Sequence, residues 1–286
     1  MRGSMLSTRV ASGLGIRKTL KRVVRRAGVN GSGIAALRMC CERHVLASLP
    51  QSSTRNIGRI LCYHSVGQPA WGVNDVSPEN FRRHLEAAQR AGFRFVPAAE
   101  IAATGGGPKD LAITFDDGLR SVLTTAAPIL ADYKIPWSLF VVSGWCDQRD
   151  AWVGQHTLGW REIEKALALG AEIGSHSQTH PDFARIGESQ AVDELGESRR
   201  TIRARLGLDA RTFAIPFGQS LNWPAHASRA AVAAGYDVIY AQAEETRPPG
   251  TVARTFVTRY DGDRIFKSLL RGAFDHWEEW LWPVGT

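Results

Sequence analysis

Between Ile57 and Gly272 short apolar runs alternate with stretches of helical periodicity, and that alternation constrains this chain more than any other feature. An apolar run at Ile57–Tyr63 precedes a helical stretch from Glu79 to about Ala91 with Ser77 as its N-cap, and a short strand follows at Phe93–Val96. Further runs stand at Leu111–Phe115, Trp137–Val142, Ala171–Ser175, Thr212–Ile215, Val238–Ala241 and Thr255–Tyr260. Helical stretches separate them at about Val122–Tyr133, Trp160–Leu169, Glu188–Leu206 and Ala225–Ala234, and a last one lies near Arg264–Gly272. Gly105-Gly106-Gly107-Pro108 and the Trp-rich stretch before Gly159 read as loops. Strands that alternate with helices predict an α/β fold with parallel strands. About seven such units suit a distorted (β/α)7-type barrel better than a small open sheet, and reactive groups in such barrels gather at the carboxyl ends of the strands.

Charge divides the chain differently. The net charge is +7, yet residues 1–55 hold eleven Lys and Arg against the single acid Glu42, so the other 231 residues carry −3. Ile16, Leu20, Val23, Val24 and Ala27 recur at helical spacing, with Lys18, Lys21, Arg22, Arg25 and Arg26 between them. This basic amphipathic helix either packs its apolar stripe on the main domain or lies on an anionic membrane surface. No aromatic residue interleaves the charges, which argues against a nucleic-acid partner. The expected organisation is therefore a basic N-terminal helical extension over 1–55, a barrel over 56–273 and a Trp-rich tail over 274–286. No run of 18 apolar residues is present, and the first fifteen residues lack the apolar core of a signal peptide. Cys40, Cys41, Cys62 and Cys146 show no paired CxxC spacing and read as reduced thiols. These features together predict a cytoplasmic protein, peripheral to the inner membrane face if the basic helix binds lipid.

The chemically unusual side chains fall where the strands end. Thr114-Phe115-Asp116-Asp117-Gly118 closes one strand, and Ala171–Ser175 runs out into His176-Ser177-Gln178-Thr179-His180. Ile215-Pro216-Phe217-Gly218 and Tyr63-His64-Ser65-Val66 mark two further exits. Adjacent Asp residues on an extended segment point in opposite directions, so one can ligate a metal while the other acts as a base. One Asp with two His is the open three-ligand pattern of a catalytic zinc site, although cobalt, nickel or iron fit the same donors. Each signal alone also has an ordinary structural reading, as a turn or a satisfied histidine pair; their order after successive strands favours chemistry.

These motifs, TFDDG, then GSHSQTHP, then Pro216-Phe217-Gly218, resemble those of the polysaccharide deacetylases, the NodB-like domains of carbohydrate esterase family four. The resemblance spans about residues 57–272. It implies a distorted barrel that removes N-acetyl groups from amino sugars, usually with zinc. By position, Asp116 resembles the general base, Asp117, His176 and His180 resemble the metal ligands, and a backbone N–H near Phe217 resembles the oxyanion donor. Two positions depart from the pattern. Ala214-Ile215 stand where an Arg often supports the base, and no Leu-x-His lies near the C-terminus, where His226 and His276 are out of context. Arg254 is a candidate substitute for the first, or else an ordinary salt-bridge partner. For the second, His64 is similar to the N-terminal acid of the circularly permuted poly-N-acetylglucosamine deacetylases. Trp145, Trp152 and Trp160 either offer platforms for a sugar ring or pack over the barrel mouth, with Trp152 the most loop-like. Trp277, Trp280 and Trp282 read as a packed terminal helix or an interfacial belt. The expected function is hydrolysis of an N-acetylated amino sugar. The alternatives are hydrolysis of another C–N bond at the same site, such as a formamide or imide, and glycan binding without turnover.

Overall fold

The computed structural model describes residues 31–49, 56–148, 151–242 and 250–275. The chain divides into two compact units, 1–45 and 46–286. The described part of the first is a helix, α1 (Gly31–Leu46), which runs on into the second by one residue. The basic amphipathic stretch expected at 16–27 and the three C-terminal tryptophans lie outside the described residues.

The second unit is built on a nine-stranded, all-parallel sheet. Strand β1 (Arg59–Tyr63) pairs along its whole length with β5 (Asp110–Phe115), and both are buried throughout, as parallel strands covered on both faces must be. From β5 the sheet continues through β6 (Trp137–Val141), β7 (Glu172–Ser175), β8 (Thr212–Ala214) and β9 (Val238–Ala241). The short β4 (Arg94–Phe95) pairs with the first residues of β5, and β2 (Ser65–Val66) and β3 (Asp75–Val76) form a separate two-stranded ribbon. The last run differs from the expected strand at Thr255–Tyr260. It is two short strands, β10 (Thr251–Ala253) on β9 and β11 (Thr255–Phe256) on β1, with Arg254 between them. One extended segment thus changes partner at Arg254 and nearly closes the sheet into a barrel. The Arg254 N–H donates to the carbonyls of Ala241 and Gln242 at this junction (3.0 and 2.8 Å).

Helices flank the strands. Helix α2 (Pro78–Arg90) starts where Ser77 Oγ accepts from Asn80 N (3.2 Å), as the Ser-Pro start predicts. Helix α3 (Ala98–Thr104) was not anticipated; its seven residues are too short for a clear period and end on left-handed Gly105. The stretch expected as one helix from Val122 to Tyr133 is a π-helical turn, Val122–Ala126, followed by α4 (Ala127–Asp132). Pro128 lacks the N–H that a continuous α-helix needs at that point. The Trp-rich stretch is not all loop: Trp152–His156 forms a short helix, α5, before α6 (Trp160–Ala168). Then come α7 (Glu188–Leu206), α8 (Ala225–Ala234) and α9 (Asp263–Leu270). An outer core of Phe183, Leu195, Phe213, Trp223 and Tyr236 fills the space between α7, α8 and the sheet. An inner cluster that includes Ile60, Val96, Ile101, Phe140 and Tyr240 fills the barrel.

Candidate active site

The pairing registers set Tyr63 beside Phe115, Phe115 beside Leu139, Val141 beside Ser175 and Ala214 beside Tyr240. The strand ends therefore share one rim, and the residues just past them, His64, Asp116, Asp117, His176 and Pro216–Gly218, come together there. Asp116 and Asp117 follow β5 directly, with Asp116 N donating to the Tyr63 carbonyl (3.0 Å). The chain turns at Asp117 (φ 69°) and Gly118 (φ 63°), the sparse left-handed region that Asp tolerates better than most residues. That turn sends the two adjacent carboxylates to separate tasks.

Asp116 is buried and held from one side by Arg254. Nη1 donates to Oδ1 at 2.7 Å and Nη2 to Oδ2 at 2.8 Å, and Nη1 also donates to Thr114 Oγ1 (3.2 Å). The guanidinium lies over the adjacent rings of Phe140 and Tyr240, at 5.2 and 5.8 Å. Cys62 Sγ, buried beneath, donates to Asp116 Oδ2 at 3.3 Å. Burial alone would raise the Asp116 carboxyl, but Arg254 first, and then His176, outweigh it and hold the group at about 2. Arg254 thus stands where support for this carboxylate was in question, reached from the barrel seam instead of from the residue before Pro216.

Asp117, His176 and His180 form the one cluster with metal-ligand character found among the described residues. Asp117 Oδ1 lies 3.5 Å from Nε2 of each histidine. His176 Nδ1 is 2.8 Å from the Ala214 carbonyl, which can only accept, so the neutral ring carries its proton there and turns the Nε2 lone pair toward Asp117. Asp117 Oδ2 accepts from Trp71 Nε1 (2.8 Å), while Oδ1 is buried without a hydrogen-bond partner. A buried, unpaired carboxylate oxygen between two imidazole nitrogens is costly unless a cation sits among them. Donors about 2.0–2.2 Å from a tetrahedral ion stand roughly 3.4 Å apart. The 3.5 Å separations match, so the residues fit a divalent transition metal. Burial raises the Asp117 carboxyl, but His176 beside it and the neighbouring His64 and His180 bring it well below the carboxylate range. Burial lowers His176, yet the two aspartates carry it above its ordinary value; His180 is pushed down to about 4, by burial and then by His176.

The loop between the two histidines is held from several sides. Ser177 and His180 both have positive φ, and Ser177 Oγ accepts from His180 N (2.9 Å). Glu194 on α7 accepts from Gln178 N, Thr179 N and Thr179 Oγ1 at 3.0, 2.8 and 2.6 Å. Gly144 N donates to the Gln178 carbonyl, and a Cβ on Gly144 would lie 2.4 Å from that oxygen, so only glycine fits there.

His64 reaches the same rim, half-buried and edge-on to Phe256 (5.4 Å). Burial pushes its imidazole down, with Asp117 and Asp116 opposing that shift. Phe217 is half-exposed at φ 65°, with its ring 4.8 Å from that of His180, and Gln242 Nε2 donates to its carbonyl (3.1 Å). Pro216 precedes it in the buried wall, and Gly218 (φ 68°) accepts from Gln242 N. Trp152 is 59% exposed but opens α5 instead of lying in a loop, and it stacks on Trp71 (5.4 Å, 5°). Trp145 lies 5.4 Å from His180. Trp160 is buried and donates to Asp147, which removes it as a sugar platform. His226 sits on α8, away from the motifs, and His276 lies outside the described residues. Trp71 and Glu194 escaped the sequence reading, and Cys62 entered it only as a reduced thiol. None belongs to a recognisable motif, and each acts through a contact between distant segments.

Residues 104–239 match the family model for polysaccharide deacetylase. Over that stretch, a little under half of its length, the chain is similar to the polysaccharide deacetylases. Among curated proteins it resembles the chitooligosaccharide deacetylase of Sinorhizobium fredii, 28% identical over 104 residues, which is 36% of this chain and 44% of that protein. The chitooligosaccharide deacetylase of a Bradyrhizobium species is 27% identical over 115 residues, 38% of this chain and 48% of that protein. The match thus spans less than half the length of either relative. Among solved structures, the Streptococcus pyogenes deacetylase PplD superposes with a TM-score of 0.65 at 19% identity, covering 76% of this chain and 98% of that one. IcaB from Ammonifex degensii gives 0.63 at 24% identity, with 76% and 97% covered. At these identities the superpositions establish the fold, a deacetylase-type (β/α) barrel.

Proposed function

We propose that this domain is a metal-dependent N-deacetylase that hydrolyses the acetamide of an amino sugar to acetate and a free amine. The observation that carries the reading is the division of labour between neighbours: Asp116 locked in its charged form by Arg254, and Asp117 converging with His176 and His180 on one point. A divalent transition ion held by Asp117, His176 and His180, with zinc the natural fit to this donor set, supplies Lewis-acid polarisation and makes water more acidic.

The chain's own groups supply the rest. Asp116 takes the proton of the attacking water as the oxygen adds to the acetamide carbon. Its low pKa keeps it ionised at any physiological pH, and Arg254 holds it in one orientation. A backbone N–H near Phe217 stabilises the developing oxyanion. As the C–N bond breaks, His64 in its imidazolium form, which the nearby Asp117 and Asp116 charges favour against burial, gives its proton to the leaving nitrogen. The proton that Asp116 took from water then leaves to solvent, and His64 is reprotonated for the next turnover. Exposed Trp152 and Phe217 offer apolar ring surface at the mouth, suited to the face of a sugar. The named activity of the rhizobial relatives, on chitooligosaccharides, supports an N-acetylated glycan as the substrate class.

Elemental analysis of the purified protein beside His176→Ala tests the metal part. About one transition metal per chain in the wild type and loss in the variant is the expected result. No metal in either protein after zinc is supplied would sink the proposal.

A further inference from the structure

Trp71 lies outside all the motifs that carry the family resemblance, in a 3-10 turn, Pro69–Asn74, between β2 and β3. That turn is firmly tied. Asp75 Oδ1 accepts from Gln68 N (2.7 Å) and Ser65 Oγ (2.8 Å), and Gly67 N donates to the Val76 carbonyl (2.9 Å). The Gln68 amide reaches two neighbouring segments, with Oε1 accepting from Ser121 N and Nε2 donating to the His156 carbonyl, both at 3.1 Å. Arg259 N donates to the Val73 carbonyl (2.9 Å). The indole leaves this frame stacked on Trp152 and edge-on to His156 (6.0 Å), with Nε1 aimed at Asp117 Oδ2 (2.8 Å).

We propose that Trp71 is a positioning residue for the metal ligand Asp117, an inference that rests on the metal-dependent reading above. A carboxylate with both oxygens free rotates and offers either one or both to a metal. The indole N–H occupies Oδ2 and fixes the plane of the group, so that Oδ1 faces the two imidazoles. An indole is suited to this because its N–H only donates and so cannot compete as a ligand. The stack on Trp152 and the Gln68 ties hold the donor in place before any metal arrives. Partners of this kind outside the ligand set typically change metal affinity by about 10–100-fold when removed.

The test compares the full chain with Trp71→Phe and Trp152→Ala. Trp71→Phe keeps an aromatic ring on Trp152 and deletes the donor. Trp152→Ala removes the stacked ring and leaves the donor. Zinc affinity is read by competition with a chromophoric chelator, and the thermal midpoint is measured on metal-free protein. The expected result is zinc binding roughly 10–100-fold weaker in Trp71→Phe, with a metal-free midpoint close to wild type and a much smaller affinity loss in Trp152→Ala. Zinc binding as tight as wild type in Trp71→Phe would overturn the inference. So would equal losses in the two variants, because packing of the stack would then account for both. Wild-type protein that binds no zinc would instead defeat the metal-dependent reading, so the two failures are distinguishable.

Discussion

The pairing of Asp116 with Arg254 makes the most demanding energetic prediction. Both side chains are almost fully buried, at 4% and 1% exposure, and they share two short charge-assisted hydrogen bonds. Arg254→Met retains an alkyl chain beside Phe140 and Tyr240 but leaves the carboxylate without its guanidinium. Breaking a buried pair in this way costs about 3–5 kcal/mol. Without the guanidinium, burial loses its largest opponent and the Asp116 carboxyl rises. The loss is then complete at neutral pH and shrinks as the pH falls through that raised value and the group becomes neutral. The cost belongs to the orphaned charge, so Arg254→Met made in an Asp116→Asn background should be milder by at least about 2 kcal/mol. Urea unfolding of the metal-free proteins, run as a double-mutant cycle, measures that difference. An equal cost in both backgrounds, within about 0.5 kcal/mol, would refute the argument. Metal binding should persist in Arg254→Met, since Arg254 is not among the converging ligands.

Other consequences follow from the same geometry. His64→Ala should lower acetamide turnover by about 100-fold or more while sparing an activated aryl acetate, whose leaving group needs no proton; equal losses on both substrates, read by parallel rate assays, would contradict the acid role. Glu194→Ala removes the acceptor oxygens of the three-bond clamp on residues 178–179, so zinc affinity should fall by roughly 3–10-fold, about 1 kcal/mol, in a chelator competition. Asp116 is held at about 2 against an ordinary value of 3.8. A lowered folded-state pKa stabilises the fold fully above the unfolded value and is lost as pH falls toward the folded one. Metal-free wild type should therefore lose roughly 2 kcal/mol more than Asp116→Asn between about pH 4 and pH 2, a difference read in acid urea titrations.

Much of this was legible in the residues. The alternation of apolar runs and helical periods gave the α/β barrel class, and strands β5, β6 and β7 lie within a residue or two of the runs that predict them. The His-Ser-Gln-Thr-His and Phe-Asp-Asp-Gly segments meet because both follow strands of one parallel sheet. The barrel seam was less legible. A segment that changes sheet partner at Arg254 has the local composition of a single strand, and only tertiary pairing splits it. That change of partner also brings Arg254 to Asp116 across 138 residues of sequence. Trp71 and Glu194 were illegible for a related reason: their contacts join loops and helices whose approach no local pattern encodes. Trp160 looked like Trp152 in sequence, but its place at the start of α6 buries it, while α5 leaves Trp152 exposed.

Acetate and free amine released from N-acetylglucosamine oligosaccharides by the zinc-loaded protein, measured beside the same protein after chelation and beside zinc-loaded Asp116→Asn, tests the central claim most directly. The account predicts equal amounts of the two products from the wild type, their loss on chelation with recovery on zinc addition, and loss in Asp116→Asn although that variant retains its metal. Product formation that survives chelation or the Asp116 substitution would contradict it, as would a metal-loaded wild type that releases no acetate from any N-acetylated sugar.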